Sequence, residues 1–555
     1  MSDREQPAGD GDVPGGPGQP PAGPAHSPRP QPPDPEPAGC LSRRRALGVL
    51  TALGVLLLAL VILAAHLLRR RGSPDEPTPS PGEQTGDGDV VLLDVAGADG
   101  RLLGLDELLL VATNGAGADE RDDALLDADT LAVLSLAPLD ADASASARLE
   151  LPRQGRACLS ISWPTSAGYS ALLVDLPGPG RYALAELAAQ SLHASQAAAE
   201  ADGLIDPVTA AGVGDLRAAT EQALASCRSA PDDAQRAARA SQALEAAASA
   251  QVALDRARAH HEPGTAMLGV TFTYPPDPAA VAAALEPLRA AQRGIIVRLV
   301  VTDTDDRDEM AAWRTCLDEL HAQGAQAMVQ ICDSQAVASL DDAAWRRRLS
   351  RLLEAFPDAD AWETGNEIGG EWLGERGVTR AREAARALAR DPATAQATRV
   401  LTLYYQLGQG EAEASTFTVA GDALDPGLLE LSDVVGLSVY PQWHPLGVSA
   451  DRVLDALSQV AQGRPIALTE LGYGAEDLDE GPWWYGSPTD TTLGRESVAR
   501  DLTASALCRQ DVWAAPMWWY YLEDEEGAGA DDGVGSTLAE AAQAPQAQAA
   551  RTQAP

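Results

Sequence analysis

The feature that most constrains the fold of this 555-residue chain is a regular alternation of strand-length and helix-length segments beyond Thr265. Apolar runs are separated by amphipathic stretches, and the predicted strands begin at Met267, Gly294, Gln326, Asp360, Arg399, Asp433, Pro465 and Val512. Eight β–α repeats in about 280 residues are typical of a TIM barrel. A doubly wound open sheet fits less well, because no glycine-rich turn follows the first strand. We therefore expect an α/β protein with a (β/α)8 barrel at 265–544.

The chain begins with segments of a different composition. Residues 1–45 are rich in proline and glycine and predict a disordered tail, because they cannot bury enough apolar surface to offset the entropy of ordering. Residues 46–68 carry no formal charge, and as a helix they would span about 34 Å, enough to cross a bilayer core. We predict a single transmembrane helix there, followed by a linker at 69–89.

Three further segments complete the predicted organisation. Short apolar runs at 90–187 predict a small antiparallel β-sandwich. The alanine- and glutamine-rich composition of 188–264 predicts a helical spacer, and residues 545–555 predict a second disordered tail. The six cysteines include no CxxC pair, although one disulfide between Cys158 and Cys227 is conceivable.

The charge of the chain constrains its partners and its location. Eighty-one acidic residues against 41 basic ones give a formal net charge of −40, which would repel phosphates, so nucleic acid is not an expected partner. Arginines flank the predicted membrane helix almost evenly at 43–45 and 69–71. Adding Arg29 tips the positive-inside rule toward a cytoplasmic amino terminus. We predict a single-pass protein of the cell membrane with its carboxyl-terminal domains outside the cytoplasm.

Polar side chains end several of the predicted barrel strands, where the active sites of TIM barrels lie. The fourth strand ends in WETGNE, which contains Asn366 and Glu367, and the seventh ends at Glu470. Two carboxylates across a barrel mouth suit a retaining glycosidase, which needs a protonated acid and an ionised nucleophile. Glu367 fits the acid/base. Glu470 fits the nucleophile, held ionised by Arg298 and Tyr440.

Aromatic residues are concentrated in the same half of the chain. Ten of the eleven tryptophans lie beyond residue 274, and flat rings stack on the apolar faces of pyranose rings. The candidate substrate-binding residues are Asn366, Arg298, Tyr440, Trp443, His444, Trp484, Trp518 and Trp519. Only two histidines lie in the barrel, which disfavours a Ser–His–Asp triad. We expect no metal site and no cofactor.

The motifs WETGNE and IALTELGYG resemble the fourth- and seventh-strand motifs of the clan A (β/α)8 glycoside hydrolases. The order of the motifs, the 103 residues that separate their glutamates and the aromatic end of the eighth strand agree with that clan. GLSVYPQW is also similar to the sixth strand of endo-β-1,4-galactanases. The resemblance covers only the carboxyl-terminal half. It implies an acid/base at Glu367, a nucleophile at Glu470, a 2-hydroxyl-binding asparagine at Asn366, a second-strand arginine at Arg298, a sixth-strand aromatic at Tyr440 and an eighth-strand tryptophan at Trp518 or Trp519.

These observations predict a membrane-anchored retaining glycoside hydrolase that cleaves a β-linked oligo- or polysaccharide by double displacement. The alternative is a catalytically inactive glycan-binding or sensory membrane protein. In a weaker hypothesis the predicted sandwich at 90–187 is a carbohydrate-binding module.

Overall fold

The computed structural model describes residues 89–117, 120–201, 205, 207–261, 265–408, 410–424, 426–474, 481–523 and 533–543. The predicted transmembrane helix at 46–68 and the predicted tails at 1–45 and 545–555 lie outside these residues. Within the described ranges, no helix is both long enough and apolar enough to cross a bilayer.

The amino-terminal lobe, which comprises the described residues of 89–261, contains two β-sheets. Its strands are β1 (Val90–Asp94), β2 (Ala124–Asp127), β3 (Val133–Leu136), β4 (Ala147–Glu150), β5 (Ala157–Thr165), β6 (Gly168–Asp175) and β7 (Gly180–Ala183). One sheet has the order β4-β1-β7 and the other β3-β2-β5-β6. The prediction of a wholly antiparallel sandwich is wrong for β1 and β7, which pair in parallel. Apolar runs reveal strands but not the direction in which they pair.

Helices cover these sheets. They are α1 (Leu105–Ala112), α2 (Leu184–Ala201), α3 (Pro207–Gly212), α4 (Gly214–Arg228) and α5 (Asp233–His261). The five described cysteines are free and buried. Cys158 on β5 and Cys227 on α4 belong to different hydrophobic clusters, so the disulfide considered between them is not formed.

In the four-stranded sheet, the strands β2, β5 and β6 are buried on both faces. Leu159 and Leu172 pack in the core of the amino-terminal lobe, whereas their neighbours Cys158 and Leu173 belong to the main core of the barrel. Successive side chains of a strand point to opposite faces, so this sheet is a layer shared by the lobe and the barrel. This position explains why β6 is apolar almost throughout rather than alternating. The described residues from Asp89 onward form one compact unit.

Eight parallel strands close into the barrel. They are β8 (Met267–Phe272), β9 (Ile295–Leu299), β10 (Gln326–Gln330), β11 (Ala361–Ile368), β12 (Thr398–Tyr404), β13 (Val434–Val439), β14 (Ile466–Leu471) and β15 (Val512–Trp518). Each pairs with the next, and β15 closes onto β8. The predicted barrel is confirmed, and no strand begins more than one residue from its predicted start.

The barrel helices are α6 (Pro278–Leu285), α7 (Arg307–Ala322), α8 (Ser334–Val337), α9 (Asp342–Ala355), α10 (Gly377–Arg390), α11 (Thr416–Ala423), α12 (Pro426–Leu429), α13 (Ala450–Ala461), α14 (Thr491–Leu507) and α15 (Val534–Ala541). Aspartate side chains begin several of them by accepting backbone N–H bonds, as Asp306 and Asp341 do. Buried side chains such as Trp313 and Leu320 hold α7 against the barrel.

The interior of the barrel changes from apolar to polar along the strands. Near the start of the strands the inner layer includes Ile296, Met328, Ala361, Val400, Val434, Ala467 and Ala514. Two residues further along, and therefore on the same side of their strands, are the buried polar residues Arg298, Gln330, Glu363 and Thr402. The polar layer forms the floor of a site at the carboxyl ends of the strands.

Candidate active site

Glu367 lies at the end of β11, where the strand is irregular. The register with β12 shifts between Glu363 and Gly365 and again between Gly365 and Ile368. Glu367 itself has φ +53°, which is uncommon for a residue with a side chain. Bulges re-aim side chains near active sites, and strained backbone is concentrated at functional sites.

The carboxyl group of Glu367 is surrounded by hydroxyl groups. Its Oε1 accepts a hydrogen bond from Ser438 Oγ at 2.7 Å, and its Oε2 accepts one from Ser334 Oγ. The residue is only 6% exposed. Burial, followed by the nearby charge of Glu470, raises the pKa of Glu367 from 4.5 to about 8. A raised pKa favours the protonated form of Glu367, which is the form that a general acid needs.

Glu470, at the end of β14, has cationic and hydroxyl partners. Arg298 Nη1 lies 2.7 Å from its Oε2, and the hydroxyl of Tyr440 donates to its Oε1. Asn366 Nδ2 also donates to Oε2, at 3.4 Å. Arg298 is fully buried and Glu470 is 4% exposed. A guanidinium and two hydrogen-bond donors stabilise the carboxylate form, which is the form that a nucleophile needs.

Arg298 is shared with a second carboxylate that the sequence analysis did not single out. Its Nε donates to Glu363 Oε2 at 2.9 Å, and its Nη2 lies 2.8 Å from the same oxygen. Thr402 Oγ1 donates to the other oxygen of Glu363 at 2.5 Å. Glu363 is 1% exposed. The buried arginine is thus fixed from below by Glu363 and from above by Glu470.

One hydrogen-bonded network connects the two candidate catalytic residues. The backbone N–H of Ser334 donates to Asn366 Oδ1 at 2.9 Å, while its hydroxyl donates to Glu367. Asn366 in turn donates to Glu470. Sequence analysis also missed Ser334 and Ser438. For Ser438 a signal was present, since it lies on β13 two residues before Tyr440, and side chains two residues apart along an extended segment point the same way.

Two of the predicted aromatic residues lie beside this network. The ring of Trp443 is 5.2 Å from that of Tyr440, and the guanidinium of Arg298 lies 5.0 Å from the ring of Trp519. Both tryptophans are partly exposed. They can therefore offer a ring face to a sugar at the mouth of the barrel.

His444 belongs to a neighbouring aromatic group. Its Nε2 lies 2.9 Å from the hydroxyl of Tyr404, whose ring also packs edge-on against Trp372 at 4.8 Å. Burial lowers the pKa of His444 to about 3, so the imidazole is neutral. Neither Tyr404 nor Trp372 was singled out from the sequence.

Two other predicted aromatic residues lie elsewhere. Trp518 is fully buried in the main core and has no face open to a ligand, so of the two eighth-strand tryptophans the geometry favours Trp519. Trp484 packs edge-on against Tyr169 of the amino-terminal lobe, with ring centroids 5.8 Å apart. The sequence places both residues near strand ends. This position alone does not show whether a ring lies at the mouth of the barrel or in a packed interface.

One side-chain cluster within the described ranges has the composition of a metal site. Oxygen atoms of Asp255 and Asp451 and the sulfur of Cys508 lie within 4.8 Å of one another. The guanidinium of Arg258 approaches Asp451 at 3.4 Å and supplies positive charge to this cluster. It contains none of the residues of the barrel mouth described above.

No family model and no curated protein sequence matches this chain. Among solved structures, a fungal β-1,4-galactanase matches with 16% identity and a TM-score of 0.34, over 46% of this chain and 90% of its own. A GH5_18 enzyme from Streptomyces cattleya in complex with Manb1-4GlcNAc matches with 15% identity and a TM-score of 0.35, over 52% and 82%. A muconate cycloisomerase variant matches with 13% identity and a TM-score of 0.29, over 71% and 86%. Likeness at this level carries no argument about the reaction.

Proposed function

We propose that this protein is a retaining glycoside hydrolase that cleaves a β-linked oligo- or polysaccharide by double displacement. The observation that carries the proposal is the contrast between two glutamates of one network. Glu367 is surrounded by hydroxyls and has a raised pKa, whereas Glu470 is paired with Arg298. A retaining glycosidase needs this combination of an acid and a carboxylate nucleophile.

The reaction follows from these positions. A carboxylate oxygen of Glu470 attacks the anomeric carbon while Glu367 donates its proton to the glycosidic oxygen, so that the bond to the leaving sugar breaks. The product of this step is a glycosyl ester on Glu470, and Glu367 is now ionised. Glu367 then removes a proton from water, the water oxygen attacks the anomeric carbon, and Glu470 leaves as a carboxylate.

Neighbouring side chains have supporting roles in the proposal. Asn366, which donates to Glu470, would also hydrogen-bond the sugar 2-hydroxyl, a contact that strengthens in the transition state. Tyr440 aims the nucleophile through its hydroxyl. Trp443 and Trp519 provide the faces on which pyranose rings would stack.

The proposal also includes the location predicted from the sequence. The apolar segment 46–68 would anchor the protein in the cell membrane, with the barrel outside the cytoplasm. A β-linked glycan of the cell exterior would then be the substrate.

The test is hydrolysis by the full-length chain in detergent micelles. The panel comprises β-1,4-galactan, β-1,4-mannan, β-1,4-xylan and β-1,4-glucan, with product anomers followed by proton NMR. The proposal predicts release of β-anomers first from at least one glycan. Initial α-anomers would contradict the retaining mechanism. Binding of a glycan without any hydrolysis would favour the inactive glycan-binding alternative.

A further inference from the structure

The segment 481–487, which follows the candidate nucleophile strand β14, is joined to the backbone of the amino-terminal lobe. Gly168 and Tyr485 form an antiparallel bridge. The N–H of Tyr169 donates to Trp484 O at 2.8 Å, and the N–H of Gly486 donates to Ala167 O at 2.7 Å. Gly168 has φ +128°, and a Cβ there would stand 2.5 Å from Tyr485 Cα. Only glycine permits so close an approach.

The carboxyl-terminal end of α1 holds the same segment. Trp483 is 2% exposed, and its Nε1 donates to Ala112 O at 2.8 Å. This carbonyl belongs to the last turn of α1, where carbonyl groups have no partner within the helix. Asn114 Nδ2 donates to Pro482 O at 2.8 Å. Two side-chain bonds therefore add to the backbone contacts.

A third attachment comes from the long helix α5. The hydroxyl of Tyr485 donates to Asp501 Oδ2 at 3.2 Å, and Arg256 Nε donates to Asp501 Oδ1 at 2.7 Å. Tyr485 and Asp501 are both at least nine-tenths buried. The segment 481–487 is thus held from α1, from the β5–β6 turn and, through Asp501 of α14, from α5.

On its other side, this segment contacts the loop that carries Trp443. The N–H of Trp483 donates to Gln442 O at 3.4 Å. A Cβ on Gly481 would overlap the same carbonyl group and would stand 2.7 Å from Cδ1 of Trp443. Trp443 packs on Tyr440, whose hydroxyl donates to Glu470. Contacts therefore run without a gap from the amino-terminal lobe to the candidate nucleophile.

We infer that the amino-terminal lobe is part of the catalytic apparatus, and that Trp483 is a positioning residue that sets Trp443 and Tyr440 against Glu470. This inference rests on the proposed function for its catalytic consequence. Its structural part does not, because the contacts exist whatever the reaction. Trp483 acts through its two hydrogen bonds, one to each side, rather than by touching substrate.

The first test is Trp483→Phe, which removes the Nε1–H donor and keeps most of the ring. The carbonyl of Ala112 then loses its partner. We expect hydrogen–deuterium exchange of the full-length protein to become about tenfold faster at residues 438–444. On whichever glycan the wild type hydrolyses, we expect kcat to fall about fivefold with KM nearly unchanged, since displacement of a positioned group costs rate.

The matched control is Trp345→Phe on α9. Trp345 is 2% exposed, but its Nε1 has no hydrogen-bond partner in the described parts of the chain. The same loss of ring volume there should leave exchange at 438–444 and kcat as in the wild type. Equal effects of both substitutions on exchange would overturn the inference, because they would reflect lost packing alone.

If Trp483→Phe does not fold, Asn114→Gly tests the same inference. Asn114 is exposed and has φ +50°, so glycine keeps the backbone conformation and removes the bond to Pro482 together with a 3.5 Å bond that Asn114 Oδ1 accepts from the hydroxyl of Tyr169. Unchanged exchange at 438–444 in the folded variant would contradict the inference. A wild type that hydrolyses no glycan would refute the proposed function, while the exchange measurement would still decide the positioning role.

Discussion

Glu367 and Glu470 are the same kind of side chain in one network, yet their surroundings differ. Glu367 is contacted by two serine hydroxyls, whereas Glu470 is contacted by a guanidinium, a phenol and an amide. Burial without a neighbouring cation raises the pKa of the first carboxyl group, whereas the second is paired with a buried guanidinium. In the proposed mechanism, the division between acid and nucleophile is thus decided by neighbouring residues on β9 and β11, on and just after β13, and at the start of α8.

The largest effect is expected from Glu470→Gln, which replaces the carboxyl group that is paired with Arg298. Without a carboxylate nucleophile, kcat should fall by about 10⁴-fold or more. The amide occupies the same volume, so the protein should still unfold near the wild-type temperature. Steady-state hydrolysis and a thermal melt measure both quantities. Retention of a tenth of the wild-type rate would contradict the proposed role of Glu470 as the nucleophile.

Glu367→Ala removes the carboxyl group that is proposed to act as the general acid. For glycans with poor leaving groups, kcat should fall by about 10²- to 10⁴-fold, which is the usual contribution of a general acid. Dinitrophenyl glycosides need no proton for departure, so their glycosylation step should be nearly unaffected, and azide should restore turnover by giving a β-glycosyl azide. An equal loss on both substrate types would argue against Glu367 as the acid.

Glu363→Gln tests whether the arginine below Glu470 depends on its second partner. The substitution removes one of the two negative charges that share Arg298. Arg298 then interacts more strongly with Glu470, so we expect kcat to fall about tenfold. Thr402→Val is the control, because it removes a hydrogen bond to Glu363 and leaves the charges in place. An unchanged kcat in Glu363→Gln would show that Glu363 has only a structural role.

The pH dependence of the wild type follows from the raised pKa of Glu367. Since the acid must carry its proton, kcat/KM should fall as the pH rises through about 8.

Ser438→Ala gives the smallest predicted change. Its hydroxyl favours the charged form of Glu367, so its removal should raise the pKa and move the alkaline limb upward by about half a pH unit. Movement to lower pH would contradict the role given to Ser438.

The barrel was predictable from the sequence because each strand–helix repeat has its own periodicity, and the boundaries need no knowledge of distant contacts. That Glu367 and Glu470 lie in one network at the mouth of the barrel was predictable because strand ends meet at one edge of a barrel. Ser334 and Glu363 were not, because their roles depend on which side chains meet across the barrel. The burial of β6 on both faces could not be predicted either, because an apolar run does not show which elements pack against its two faces.

The most direct test of the contrast between Glu367 and Glu470 needs no substrate. Full-length protein labelled with ¹³C at the glutamate side-chain carboxyls is titrated by NMR, with Glu367→Gln as the reference that identifies one resonance. The account predicts that the resonance missing from the variant titrates near pH 8 in the wild type. Titration of that resonance below pH 5 would contradict it, because Glu367 would then be ionised at neutral pH and could not serve as the acid.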